Sequence, residues 1–441
     1  MRKAIVDKVR EAGIVGAGGA GFPAHVKINA DVSRVLANGA SCEPLLMSDP
    51  WLMESLPGKV LRGLRLVMEC TGAALGTVCL KGKHGGAMEG MRTTVGSSED
   101  VELFELSDFY PAGDEQVLVY EVMKRVVPEG GIPLQVGAVV CNVESLINVA
   151  NAVDGGLPVT ERYLTVTGEV ARPLVVKVPV GISLGEVIDL AGGATIGDFR
   201  VVVGGPMMGQ VVKDLSLPVT KTTSGVILLA ADHNVVAGKT TDPERLRRIT
   251  QIACCQCSRC TDICPRNLLG HSLSPHRIMR GLGFQTAQTG GVAEDALICS
   301  ECGICEKFAC PMMISPREVN AQIKRELLGK GIKRSPRQDT YRPSAFRDYR
   351  KVPTKRLIEH LGLGKYDGHP QFLAREVLVQ TVSIPLKQHL GAPAVAVVKK
   401  GDRVRKGDLI GEIAKDSLGA RVHASIDGVV SSIGANVIIT Q

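Results

Sequence analysis

The sequence predicts a multidomain α/β protein, and three observations carry that expectation. The chain has 441 residues, more than one hydrophobic core serves, so about two to four domains are expected. Its pattern changes along its length. Mixed helix and strand segments give way near residue 162 to alternating β segments, and short apolar strands with glycine turns follow residue 385. Between those stretches, nine of the 13 cysteines fall within residues 254–310.

No apolar stretch approaches bilayer length, so any membrane association is expected to run through a partner. The N-terminus, "MRKAIVDKVREAG", is amphipathic and charged, without an apolar run ahead of a small-residue cleavage site. That pattern predicts a cytoplasmic protein whose cysteines are not disulfides. The formal charge of +7 is modest for this length, and much of it lies in residues 324–356. The stretch reads as a solvated linker, ahead of a docking surface for an acidic partner. No motif for nucleic acid accompanies the charge, so no such partner is expected.

In chain order, the first feature is "GIVGAGGAGFPAHVK" (13–27). Gly16, Gly18 and Gly21 satisfy G-x-G-x-x-G, but the loop follows a short amphipathic helix (Ala4 to Ala12) and not a strand. Residues without side chains let backbone N–H groups approach a phosphate, which Lys27 could neutralise; a tight structural turn fits them equally. The segments "VLANGASCEPLLMSD" (35–49), "YPAGDEQVLVYEV" (110–122) and "AVVCNVESLINVANAV" (138–153) each join an apolar strand or helix to a small polar cluster. From residue 162 the alternation predicts strands and one short helix.

Cys254, Cys257, Cys260 and Cys264, followed by Pro265, spell C-x2-C-x2-C-x3-C-P, the spacing by which bacterial ferredoxins hold a [4Fe–4S] cluster. Cys299, Cys302 and Cys305 repeat it, with Cys310 one residue later than the first motif places its last cysteine. A local bulge is expected there. In two-cluster ferredoxins the fourth thiolate comes from the other motif. That assigns Cys310 to Cys254, Cys257 and Cys260, and Cys264 to Cys299, Cys302 and Cys305. Zinc would need two CxxC pairs folding on one ion, a poor match to two triplets. Cys255 fits neither register and is expected as a spare buried thiol. Cys70, Cys79 and Cys141 are expected as small buried hydrophobes.

On the glycine loop, "NGASCEP", "YPAGDEQ" and "NVESL", the chain resembles the flavin- and NADH-binding subunit of respiratory complex I. It resembles still more the C subunit of the Rnf ferredoxin–NAD oxidoreductase complex. The C-terminal stretch (385–433), with "KKGD", "RKGD" and "IDG" turns, looks like the barrel-sandwich hybrid of biotinyl and lipoyl carriers. Its position at the C-terminus and the C-x4-C-P variant are most similar to the cobalamin reductases of propanediol-utilisation microcompartments. This resemblance implies a Rossmann-like FMN/NADH domain (1–158), a β-grasp soluble-ligand-binding module (159–240) and a helical dicluster ferredoxin-like domain (241–335). A basic linker (336–375) and the barrel-sandwich hybrid (376–441) complete it.

The same resemblance implies FMN with its phosphate among Gly16, Gly18, Gly19, Gly21 and Lys27. Asn38, Glu43, Asp114, Glu115, Asn142 and Glu144 would line flavin and nucleotide, with Glu43 and Glu115 as the catalytic carboxylates. Two departures stand out: Cys141 where complex I subunits carry asparagine, and Ala17 where they carry arginine. Residues 424–428, at the carrier hairpin tip, hold no lysine, so the C-terminal module is expected to dock or pack and not to swing a cofactor. The β-grasp module is expected as a spacer.

The implied function is NADH oxidation on FMN, with single electrons leaving through two [4Fe–4S] clusters to a corrinoid or an electron-accepting protein. Partner subunits or microcompartment proteins, and a location inside a bacterial microcompartment, belong to the same implication. The alternatives are an NADH-input subunit of a larger soluble or Rnf-type reductase, and a scaffold with structural clusters and a dead flavin site.

Overall fold

Strands β1 (Arg34–Gly39), β2 (Leu75–Lys81), β3 (Val101–Leu106) and, after the short β4 (Phe109–Tyr110), β5 (Ala138–Asn142) organise the first module of the computed structural model. β3, β2, β1 and β5 lie side by side in that order, all parallel. Residues 1–283, 292–334, 336, 340–415 and 417–441 are described. Strands β1, β2 and β5 are almost wholly buried, which is why they read as continuous apolar runs and not as alternating ones. The chain leaves β1 toward β2 on one side and returns as β5 on the other. The carboxyl ends of β1 and β5 therefore flank a topological switch point, where open α/β sheets leave a crevice.

Helices Pro57–Thr71 and Val143–Gly155 pack against each other over this sheet. Gly63 permits their close approach: a Cβ there would stand 2.0 Å from the Leu146 carbonyl oxygen. The Arg2–Glu11 helix buries Ile5 and Val9 against the same core, as its apolar spacing predicts.

The second module is a mixed six-stranded sheet. Strands Glu161–Gly168, Leu174–Pro179, Phe199–Val203, Gln210–Val212 and Gly225–Ala230 form it with an edge strand, Gln371–Leu373. The helix Leu184–Leu190 starts at a capping box in which Ser183 and Glu186 satisfy each other's backbone N–H groups. Helices Pro243–Ala253, Pro275–Gly283 and Pro316–Gly329 surround the cysteine loops. Two small antiparallel sheets close the C-terminal module. Its Val382, Ile384, Val430 and Ile439 share one apolar cluster with Leu164, Val176 and Leu228 of the second module.

The described part of residues 336–375 is not a solvated linker. Val352–Pro353 pairs with β4, the helix Thr354–His360 buries Leu357 and Ile358, and Gln371–Leu373 extends the second sheet. Phe372 stacks on Trp51 at 3.8 Å between ring centroids. The basic charge is matched by acid from the first module: Lys351 and Arg347 both pair with Glu121. Elements of two to seven residues leave too short a period to read from sequence, so the charge dominated the expectation.

Among the described residues, no helix is long and apolar enough to cross a membrane.

Candidate functional site

The glycine loop lies against the carboxyl end of β5. A Cβ on Gly18 would come within 3.1 Å of the Asn142 side chain, whereas one on Gly19 would meet nothing within 4 Å. The open side of the loop is thus at Gly19. Asn142 caps the Val143–Gly155 helix by accepting from the Glu144 N–H, and it donates to Asp49 at 2.8 Å. Ser145, in the first turn of that helix, accepts from the Ala17 N–H at 2.9 Å. Loop and helix N-terminus thus meet at the carboxyl end of β5.

Lys27 donates to Glu115 at 2.6 Å. Burial works against the Lys27 ammonium, but Glu115 and the Cys141 thiol outweigh it and hold the pKa above the ordinary lysine value. Cys141, at the end of β5, is buried as expected, and burial pushes its thiol up to about 11. Asn38, at the end of β1, donates to the Gly113 carbonyl at 2.9 Å. Gly16, Gly18, Gly19, Lys27, Glu115, Asn142 and Asn38 therefore gather around the carboxyl ends of β1 and β5.

Four predicted residues are engaged elsewhere. The two oxygens of Glu43 accept from the Met207 and Met208 N–H groups at 2.9 and 2.8 Å. Burial raises its pKa against those bonds and against Lys239. Asp114 caps the Glu115–Met123 helix and pairs with Arg266 through both oxygens, at 2.6 and 3.0 Å. Glu144 is buried and pairs with Arg162, and burial drives its carboxyl up to about 7 against that pull. Gly21 faces the second and C-terminal modules, since a Cβ there would meet Thr222 at 2.9 Å and Gln388 at 3.1 Å.

Sequence reasoning missed Arg162. It donates to Glu144, to the Thr223 carbonyl at 2.7 Å and to the Ala17 carbonyl at 2.9 Å. A guanidinium thus reaches the loop from the second module where the related loop carries its own arginine. The C-terminal module also grips this loop: the Leu390 N–H donates to the Gly21 carbonyl, and Lys221 donates to the carbonyls of Gly13 and Arg421.

The cysteines form two groups whose membership crosses the motifs. Burial pushes the Cys260 thiol up to about 12, reinforced by Cys254, Cys310 and Cys257 beside it. Burial likewise raises Cys302 and Cys305, each reinforced by Cys299 and Cys264. Thiols that mutually resist ionisation need a cationic centre to become thiolates. Among the described residues no three His, Cys, Asp or Glu converge closely enough to hold one metal ion. Cys264, Cys299, Cys302 and Cys305 line one small recess of about 10 Å³.

Both loops carry left-handed residues two and four places after their first cysteine, Gln256 and Ser258 in one, Glu301 and Gly303 in the other. The extra residue before Cys310 is absorbed in a π-helical turn, Cys305–Ala309, the bulge its spacing predicts. N–H groups of Glu301 and Asn320 point at the Cys299 sulfur. Cys255 is exposed, contrary to the expected buried thiol, because its loop turns outward at Gln256.

Among the contacts between the two regions, three lie beside the Cys264 group. The Tyr110 hydroxyl donates to the Cys302 carbonyl at 2.6 Å. Arg266, two residues after Cys264, holds Asp114. Met207, adjacent to the Glu43 clamp, packs in one buried cluster with Tyr110 and Cys302. The second module thus also reaches this cysteine group, through Met207. No local pattern could announce these contacts, although Tyr110 and Asp114 lie in the "YPAGDEQ" segment.

Comparison with known proteins agrees with this geometry. Four family models match: the Nuo51 FMN-binding domain over residues 9–151, the SLBB domain over 163–211, a 4Fe-4S dicluster domain over 253–315 and the RnfC barrel sandwich hybrid domain over 362–441. The chain is 44% identical over 435 residues to cobalamin reductase PduS of Salmonella typhimurium, covering 98% of this chain and 95% of that protein. The chain belongs to the PduS cobalamin reductase family. PduS of Citrobacter freundii is 41% identical, with 97% of this chain and 94% of that protein covered. The C subunit of the Na(+)-translocating ferredoxin:NAD(+) oxidoreductase complex of Acetobacterium woodii is 36% identical over 270 residues, 60% of this chain and 58% of that one. As a PduS-family member with these domains, the chain is a redox enzyme built for FMN and two [4Fe–4S] clusters.

Proposed function

We propose that this PduS-family protein oxidises NADH and delivers single electrons to a corrinoid. The observation that carries the reading is the chain of contacts from glycine loop to cysteines: Lys27 to Glu115, Asp114 to Arg266, and Tyr110 to Cys302. When bound, FMN and the clusters convert a two-electron hydride donor into one-electron deliveries. Gly18, Gly19 and the N-terminus of the Val143–Gly155 helix would hold the flavin phosphate, with Lys27 neutralising it. Glu115 orients Lys27 and, at the mouth of the crevice, would position the nicotinamide. Asn38 and Asn142 would frame the flavin at the two strand ends.

Cys264, Cys299, Cys302 and Cys305 would ligate the cluster nearer the flavin; Cys254, Cys257, Cys260 and Cys310 would ligate the other. Tyr110 and Arg266 fix the nearer set against the flavin module, and buried Met207 excludes water between them. The corrinoid as acceptor rests on kinship with PduS, and with it goes a cytoplasmic location inside a bacterial microcompartment, beside its shell proteins.

Anaerobic titration with NADH tests the reading. Flavin absorbance should bleach first and cluster absorbance second, with added aquacobalamin then reduced. Stoichiometric iron and flavin with no response to NADH would refute it.

A further inference from the structure

The two cysteine groups differ in exposure. Cys264, Cys299, Cys302 and Cys305 are all buried, whereas Cys257 is exposed and Cys254, Cys260 and Cys310 are half-buried. The helix Pro243–Ala253, which ends at Cys254, carries Arg245, Arg248, Ile249 and Ile252 at i, i+3, i+4 and i+7, one exposed face running to the first ligand. Leu246 and Thr250 are buried on the opposite side. Ile252 is 87% exposed, and Met313, beyond Cys310, is 79% exposed. Arg259, between Cys257 and Cys260, is exposed as well. The nearby acids are already engaged: Glu244 by Arg248 and Asp262 by Arg350, with Asp242 capping the far end of the helix.

We infer that this face is the electron outlet and docks an acidic electron-accepting protein around an apolar centre. The inference deepens the proposed function, on whose ligand sets it rests: the corrinoid would be presented on a protein and not meet the cluster free in solution. Exposed Ile249 and Ile252, with the exposed Met313 of the Cys310 segment and exposed arginines on the segment that carries Cys254 and Cys257, have the make-up of a contact core with a positive rim. The arginines select an acidic partner. The apolar residues bring it within transfer distance of the one cysteine group that reaches the surface. The buried group faces the flavin module, so with the cofactors bound its cysteines would hold the cluster on the flavin side and the Cys254 group the one on the partner side.

The test uses an acidic bacterial ferredoxin as probe, with holoprotein prepared as wild type and as Arg245→Glu/Ile252→Glu. Binding is measured by calorimetry across a salt series, and iron and flavin are assayed in each sample. The variant should bind the ferredoxin about tenfold more weakly at low salt with a shallower salt dependence. Its iron, flavin and NADH-driven bleaching should be unchanged. A second variant, Met313→Gln, should weaken binding while leaving the salt slope intact. Unchanged binding in both variants at full iron overturns the docking face alone. A wild-type protein without iron overturns the ligand reading and this inference with it.

Discussion

Replacing Lys27 with alanine should loosen FMN without touching the clusters. A unit charge about 4 Å from a phosphate is worth about 4 kcal/mol at an effective dielectric near 20. Lys27 keeps 28% of its side chain exposed and already donates to Glu115, so part of that attraction is screened or shared. Roughly half, about 2 kcal/mol, corresponds to about 30-fold weaker FMN. The loss includes repulsion between the phosphate and the Glu115 carboxylate left behind. Lys27→Ala/Glu115→Gln should therefore recover about tenfold of it, a coupling expected of groups in contact.

The ammonium is held above the ordinary lysine value, so its contribution stays constant from about pH 7 to about pH 9 and fades only above the lysine range. Anaerobic titration of FMN into deflavinated protein, followed by fluorescence quenching, gives the constants. Wild-type affinity in Lys27→Ala, with full iron, would show that the phosphate sits elsewhere.

Three further outcomes follow from the same contacts. Cys264→Ser should lower iron from about eight toward about four per chain and abolish the cluster of the Cys299 loop, as the crossed grouping requires; loss of the Cys254-loop cluster instead would reverse the assignment. Deletion from residue 376 onward should release flavin, because Leu390, Gln388 and Arg421 no longer support the loop at Gly21 and Gly13; retained flavin in a folded truncation would refute that support. Burial, with Lys221 and Arg421 nearby, pushes His423 down to about 3. The unfolded imidazole titrates near 6.5, so the unfolded chain binds more protons between these values, and stability present above about pH 6.5 is lost as pH falls toward 3. Thermal midpoints should decline over that window and decline less in His423→Asn; parallel profiles would exclude the histidine.

The sequence by itself determined what depends on short-range spacing. Cysteines three residues apart can serve three irons wherever the loop sits, and the extra residue before Cys310 had to bulge in any fold. Glycines followed by a lysine determined a loop of bare backbone beside a cation, and apolar runs determined the buried parallel strands. The tertiary structure decided which carboxylates are spent on contacts between modules. Glu43, Asp114 and Glu144 stand in the same kinds of polar cluster as Glu115, yet each meets a partner from another module: Met207 and Met208, Arg266, and Arg162. It also decided that residues 340–375 pack as structure, since their strands gain stability only by pairing with β4 and with Leu174–Val176, far away in sequence. A burial or an ion pair across more than a hundred residues has no local period, so only the packed chain reveals which charge is spent on architecture and which is left for chemistry.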